Sequence, residues 1–87
     1  MAIYRITRFT SSDMQRAIAM AEDARDEVAA VGADFIDIAA DAEGNGVVVA
    51  KYPDAATMEA ATATAQKIFG QMVADGVMNG DSIDIWT

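Results

Sequence analysis

Asp34-Phe-Ile-Asp-Ile-Ala-Ala-Asp-Ala-Glu-Gly-Asn-Gly-Val-Val-Val-Ala-Lys-Tyr52 is the stretch whose reading decides the fold. Its two ends, about Asp34–Ala40 and Gly46–Tyr52, are rich in Phe, Ile, Val and Tyr, the residue types that favour strands. Between them lies a polar turn, Asp41 to Gly46, containing Asn45-Gly46, a dipeptide typical of hairpins. Pro53 closes the second strand because it has no N–H for a ladder.

On either side of this hairpin the chain follows one plan. Upstream, Ala2 to Phe9 reads as a strand. Ser12 and Gln15 have the spacing of a capping box, and Asp13 suits the positive end of a helix. A helix follows to about Val31, with Met14, Ala17, Ile18, Ala21, Ala24, Val28 and Val31 in one apolar stripe. Gly32 is placed to end it. Downstream, Asp54 caps a helix from about Ala55 to Asp75 whose stripe is Met58, Ala61, Ala65, Ile68, Phe69 and Met72. Gly76 ends that helix. Val77 to Ser82 reads as a connection containing Asn79-Gly80, and Ser82 to Trp86 as a last strand.

The order is β-α-β-β-α-β over a single domain, residues 1–87. Right-handed crossovers then give an α+β fold: one four-stranded antiparallel sheet in spatial order 4-1-3-2, with both helices on one face. Tyr4, Ile6, Ile36, Ile38, Ile83 and Ile85 are expected to face the helices. The free face is then left with Ile3, Arg5, Thr7, Phe9, Phe35, Asp37, Asp84 and Trp86. Strand 3 is apolar on both sides, so Val47/Val49/Lys51 and Val48/Ala50/Tyr52 remain alternatives. Such a face is too apolar for water. A two-fold dimer packing sheet on sheet is the expected remedy, with Phe9, Phe35, Val47, Val49 and Trp86 at the seam.

Composition removes several functions. The 87 residues contain no Cys and no His. Disulfides, thiolate or imidazole metal sites, Cys nucleophiles and His bases are therefore excluded, and no metal ligand set is expected. Net charge is −8, from 14 acidic and 6 basic residues, and the bases are scattered. No basic stripe exists to engage phosphates, so no nucleic-acid partner is expected. The same field disfavours anionic membranes. No stretch is apolar enough to span a bilayer, and Met1 to Arg5 lacks the pattern of a signal peptide. A cytoplasmic location is the simplest expectation.

Candidate chemistry is sparse. Asp37 or Asp84 is the candidate base, its pKa raised by burial, beside a cation, Arg5 or Lys51, that would stabilise an enolate or phenolate. Arg5 is expected next to Asp84, and Asp37 next to Lys51. The competing reading is that these charges pair across strands or at the dimer seam. Tyr4, Arg8, Met14, Ile18, Tyr52, Phe69 and Met72 are candidates to line a ligand pocket between sheet and helices. Methionines fill ordinary cores equally well. Arg8 either binds an anionic oxygen or extends to water at the strand end. The inward alanines, Ala17, Ala21, Ala24, Ala61 and Ala65, either bring helix and sheet together or leave a cavity. Gly70 lies with Ala60, Ala63 and Ala74 on the outer face of the second helix.

The element order, the length, the stretch Met58 to Met72 and the closing strand resemble the dimeric α/β-barrel superfamily of ferredoxin-like proteins. Within it the likeness is to antibiotic-biosynthesis-monooxygenase-like small proteins. The resemblance implies a homodimer with a shared barrel and a small-molecule pocket in each subunit. It also implies oxygenation or proton transfer, without a cofactor, on an aromatic or enolisable substrate. The family's activity is associated with Asn, Trp, Tyr and His; here the chain offers Asn45 and Asn79, both in turns, and Trp86 at its end. Haem degradation, which uses a histidine ligand, is not expected. The expected function is thus binding of a small, mainly apolar molecule by a dimer, with monooxygenase-like chemistry. The alternative is a non-catalytic interaction module whose sheet face serves only to dimerise.

Overall fold

In the computed structural model, which describes residues 2–87, the sheet is built from β1 (Ile3–Thr10), β2 (Phe35–Ala40), β3 (Asn45–Tyr52) and β4 (Asp84–Trp86). The helices are α1 (Met14–Ala30) and α2 (Ala55–Ala74), and a 3₁₀ turn at Gly80–Ser82 precedes β4. The strands are antiparallel in the order β2-β3-β1-β4, as the topology argument requires. Both helices pack on one face of this sheet. Ala17 of α1 and Met72 of α2 share a buried cluster with Phe9 and Val48. Met58 and Ala61 of α2 share a second one with Ala50 and Tyr52.

Register assigns every strand residue to a face, because residues directly opposite one another in an antiparallel pair point the same way. Arg5 is opposite Ala50, Thr7 opposite Val48 and Phe9 opposite Gly46. Ile36 and Ile38 are opposite Ala50 and Val48. These form the inner, helix-covered face, which settles strand 3 as Val48/Ala50/Tyr52 inward. The outer face carries Tyr4, Ile6 and Arg8, opposite Lys51, Val49 and Val47. It also carries Phe35, Asp37, Asp84 and Trp86.

β1 is therefore turned over relative to the expectation. Ile3, Arg5, Thr7 and Phe9 point to the helices, and Tyr4, Ile6 and Arg8 point away. Phe9 is in the core at 2% exposure and is not a seam residue. Alternation in Ile-Tyr-Arg-Ile-Thr-Arg-Phe is mixed on both faces, and a one-residue change of register exchanges them. Two details decide it. Phe9 lies over Gly46, where a Cβ would come 2.5 Å from the ring, so the phenyl fits only above a residue with no side chain. Arg5 finds an acceptor on α2, the Thr62 hydroxyl, at 2.7 Å.

Local chemistry fixes the ends of the elements. Asp13, rather than Ser12, caps α1 through the Arg16 amide. Ser11 instead receives the Asp13 amide and donates to the Val77 carbonyl. Asp54 caps α2, accepting from the Thr57 amide at 2.7 Å. In the hairpin, Asn45 and Gly46 already belong to β3. Gly44 takes the left-handed position, at φ +87°. The Asp41 carboxylate organises the turn, accepting from the Asn45 side chain, the Asn45 amide and the Glu43 amide. These bonds hold its carboxyl below the usual carboxylate range. Val77 and Met78, expected in an open connection, are buried at 1% and 3% and close one end of the core.

Candidate functional site

A cavity lies between the inner face of the sheet and the two helices. Its floor is Val48, Ala50 and Tyr52 of β3 with Ile36 of β2, and its roof includes Phe69 and Met72 of α2. Ala21 and Ala24 of α1 and Ala65 of α2 form part of the roof, and their short side chains leave space there. The volume open to water centres is about 30 Å³, room for roughly two water molecules. A shallower groove of about 300 Å³ runs between α1 and α2 and shares Ala24, Ile68 and Met72 with the cavity. Lys67 and Glu27, 3.8 Å apart, pair across it.

β1 contributes the polar part of the cavity, Arg5 and Thr7. Arg5 Nη2 donates to Thr62 Oγ1 at 2.7 Å, and that hydroxyl donates onward to the Met58 carbonyl at 3.1 Å. Arg5 Nε is buried and has no hydrogen-bond partner. Among the described residues, the ion pairs are Arg25–Glu22, Arg25–Asp37 and Lys67–Glu27, and none includes Arg5. A guanidinium with a buried, unused donor and no carboxylate beside it, in an otherwise apolar cavity, is an acceptor short of satisfaction. Chemically, it can hold or polarise a negatively charged oxygen.

Neither candidate base borders the cavity, and Asp84 is not beside Arg5. Asp37 and Asp84 are exposed on the outer face, across the sheet from the cavity. Asp84 accepts from Trp86 Nε1 at 2.9 Å and is opposite Arg8, not Arg5. Asp37 pairs with Arg25 of α1 at 3.8 Å, and its strand neighbour is Val49, not Lys51. The expected pairing of Arg5 with Asp84 fails because β1 is turned over.

Of the residues expected to line a pocket, Tyr52, Phe69 and Met72 border the cavity. Met14 packs against the core cluster, and Ile18 is half-buried on α1; neither borders the cavity. Tyr4 and Arg8 are on the outer face. There Tyr4 meets Phe35 edge to face at 6.2 Å, and the Arg8 guanidinium stacks 5.5 Å from the Trp86 ring centre. Val47 and Val49 share that face with them. Asn45 and Asn79 serve turns, bonding Asp41 and the Asp81 amide. Sequence reasoning missed Thr62, which lies on the helical turn after Met58. The available signal was a lone hydroxyl one position from the inward Ala61.

No family model matches the sequence, and no curated protein matches it. Similarity emerges at the level of the fold. The structure of Rv0793 from Mycobacterium tuberculosis superposes with a TM-score of 0.69 at 14% identity, over 99% of this chain and 91% of that one. The crystal structure of an antibiotic biosynthesis monooxygenase superposes with a TM-score of 0.67 at 14% identity, over 100% of this chain and 97% of that one. This chain shares the βαββαβ ferredoxin-like fold of both structures along its whole described length.

Proposed function

We propose that this protein is a homodimer that binds a small, mainly apolar molecule in the cavity between its sheet and helices. The observation that carries the reading is Arg5, a cation set in an apolar cavity with a buried N–H left free. A chain built only to be stable gains nothing from that arrangement, since an apolar residue would fill the position at lower cost. A few placed polar groups in a mainly apolar pocket are characteristic of ligand sites.

The dimer is proposed from the outer face. Phe35 and Trp86 are 41% and 53% exposed there, with Tyr4 at 44%. Ile6, Val47 and Val49 continue the same surface, which is apolar enough to call for a cover. A second copy covers it by two-fold sheet packing.

The chemistry proposed is cofactor-independent oxygenation or proton transfer on an aromatic or enolisable molecule. It is suggested by the likeness in fold to an antibiotic biosynthesis monooxygenase and by a cation able to stabilise an enolate or phenolate oxygen. Native mass spectrometry of protein purified from its own host tests the ligand. A co-purifying small molecule, lost when Ala24 is enlarged to Phe, is the expected result. A mass equal to the bare chain, together with solvent-inaccessible cavity methyl groups in NMR, would refute it. A second reading, a purely structural module, is favoured only if the outer face dimerises and the cavity admits nothing.

A further inference from the structure

We infer that the ligand is an acid: an apolar body ending in one anionic oxygen group, carboxylate or phenolate, received by Arg5. The inference rests on the ligand-binding reading above and adds the charge and orientation of the ligand.

Three observations lead to it. First, the unused donor is Nε, whose single N–H is fixed by the guanidinium plane, so its direction is set before any ligand arrives. Secondly, Nη2 is already held by Thr62, which is in turn held by Met58 of α2. The guanidinium is thus anchored rather than free to swing to solvent, and anchoring lowers the ordering cost of binding. Thirdly, no carboxylate of the chain pairs with Arg5 among the described residues, although acids outnumber bases 14 to 6. The chain has left unneutralised a cation that it had ample means to neutralise.

The long-range field opposes an anion, since the net charge is −8. Recognition is therefore local. A buried, charge-assisted hydrogen bond is screened little by salt and is stronger than its exposed counterpart. The space beside Arg5, about 30 Å³, takes the head group. The body extends past Ala24, Ile68 and Met72, which border both the cavity and the groove between α1 and α2. The polar end lies inward in the cavity, and the apolar end reaches the groove only by passing between these three side chains.

The test uses ¹⁵N- and methyl-labelled full-length protein titrated separately with benzoate, 4-nitrophenolate and neutral benzamide. Benzoate or 4-nitrophenolate is expected to shift the Arg5 Nε–H resonance and the methyl groups of Val28, Ile36 and Met72. Which anion binds tighter tells carboxylate from phenolate. Benzamide is expected to bind about 10- to 100-fold more weakly, the range for losing one hydrogen bond to a charged group. Arg5→Met is expected to remove that preference while keeping benzamide binding, and Arg5→Lys, which keeps the charge without Nε, to recover part of it. Equal binding of anion and amide by the native protein overturns the acid ligand while leaving the cavity reading intact. Binding of none of the three, with no methyl shift, overturns both. The native-protein titration decides the matter even where Arg5→Met fails to fold.

Discussion

Replacing Arg5 by Met should make the unliganded protein more stable. In the folded state Arg5 Nε is buried without a partner, a condition that costs roughly 1–3 kcal/mol. The substitution also removes the bond from Nη2 to Thr62, a hydrogen bond from a charged donor worth about 1.5–3 kcal/mol. Those two terms nearly cancel. Thr62 keeps its own donation to the Met58 carbonyl, so no new buried donor is orphaned. The sign is then set by the guanidinium charge, whose removal from water methionine does not incur. Methionine has a similar unbranched stem and adapts to the same space. The net expectation is a gain of about 1–2 kcal/mol, the lower part of the range for replacing buried ionic groups by apolar ones, because Arg5 is only partly buried as a whole. For a domain of this size, each kcal/mol raises Tm by about 4–8 °C. Urea unfolding followed by circular dichroism, at matched protein concentration and without ligand, measures it. A loss of more than about 1 kcal/mol with an unchanged m-value would refute the reasoning. Arg5 would then be a satisfied structural donor, and its unpaired Nε would no longer argue for a ligand.

Four further outcomes follow from the geometry. Gly70→Ala, at an α2 position where a Cβ meets nothing within 4 Å, should add about 0.5–1 kcal/mol in thermal unfolding. Gly46→Ala drives a Cβ into the Phe9 ring and should cost about 1–3 kcal/mol by the same assay. The Asp54 carboxyl is held below its ordinary 3.8 by the Thr57 amide and then the Thr57 hydroxyl. A lowered folded-state pKa contributes stability above the unfolded value that is lost as pH falls through the folded one. Asp54→Asn, which still caps, should therefore be less stable than the native protein near neutrality, with the gap closing below about pH 4 in a Tm-versus-pH series. Trp86 is the chain's single tryptophan and is 53% exposed on the outer face. Its emission should move to the red on dilution as dimers separate, and Phe35→Asp should give the red spectrum and a monomer in sedimentation at every concentration.

The hairpin, the caps at Asp54 and Gly32, and both helical stripes could be read from sequence because each is a local rule. Periodicity within ten or twenty residues is enough to state them. The order of the strands followed from connection rules. The facing of β1 did not. Ile3/Arg5/Thr7/Phe9 and Tyr4/Ile6/Arg8 are similarly mixed, so burial pattern cannot choose between them. The choice depends on Gly46, 37 residues away in sequence and opposite Phe9 in the sheet, and on Thr62, farther still. Arg5 was legible as a candidate cation, but its neighbours were not, because a strand's partners change completely when its face does. The alanines were legible as ambiguous, and only their three-dimensional arrangement leaves the space above β3.

β4 is three residues long and pairs with β1 only at Ile6–Arg8. Its beginning is latched by the Thr10 amide on Ser82 Oγ and the Asn79 amide on the Thr10 carbonyl. Such a strand can open without the rest of the sheet, at a free energy below that of global unfolding. When it opens it carries away Trp86 and Asp84 but no residue that borders the cavity. Trp86 and Asp84, at one margin of the proposed partner face, thus belong to a different unit of opening from the residues around the cavity. That margin can loosen or exchange while the cavity stays closed.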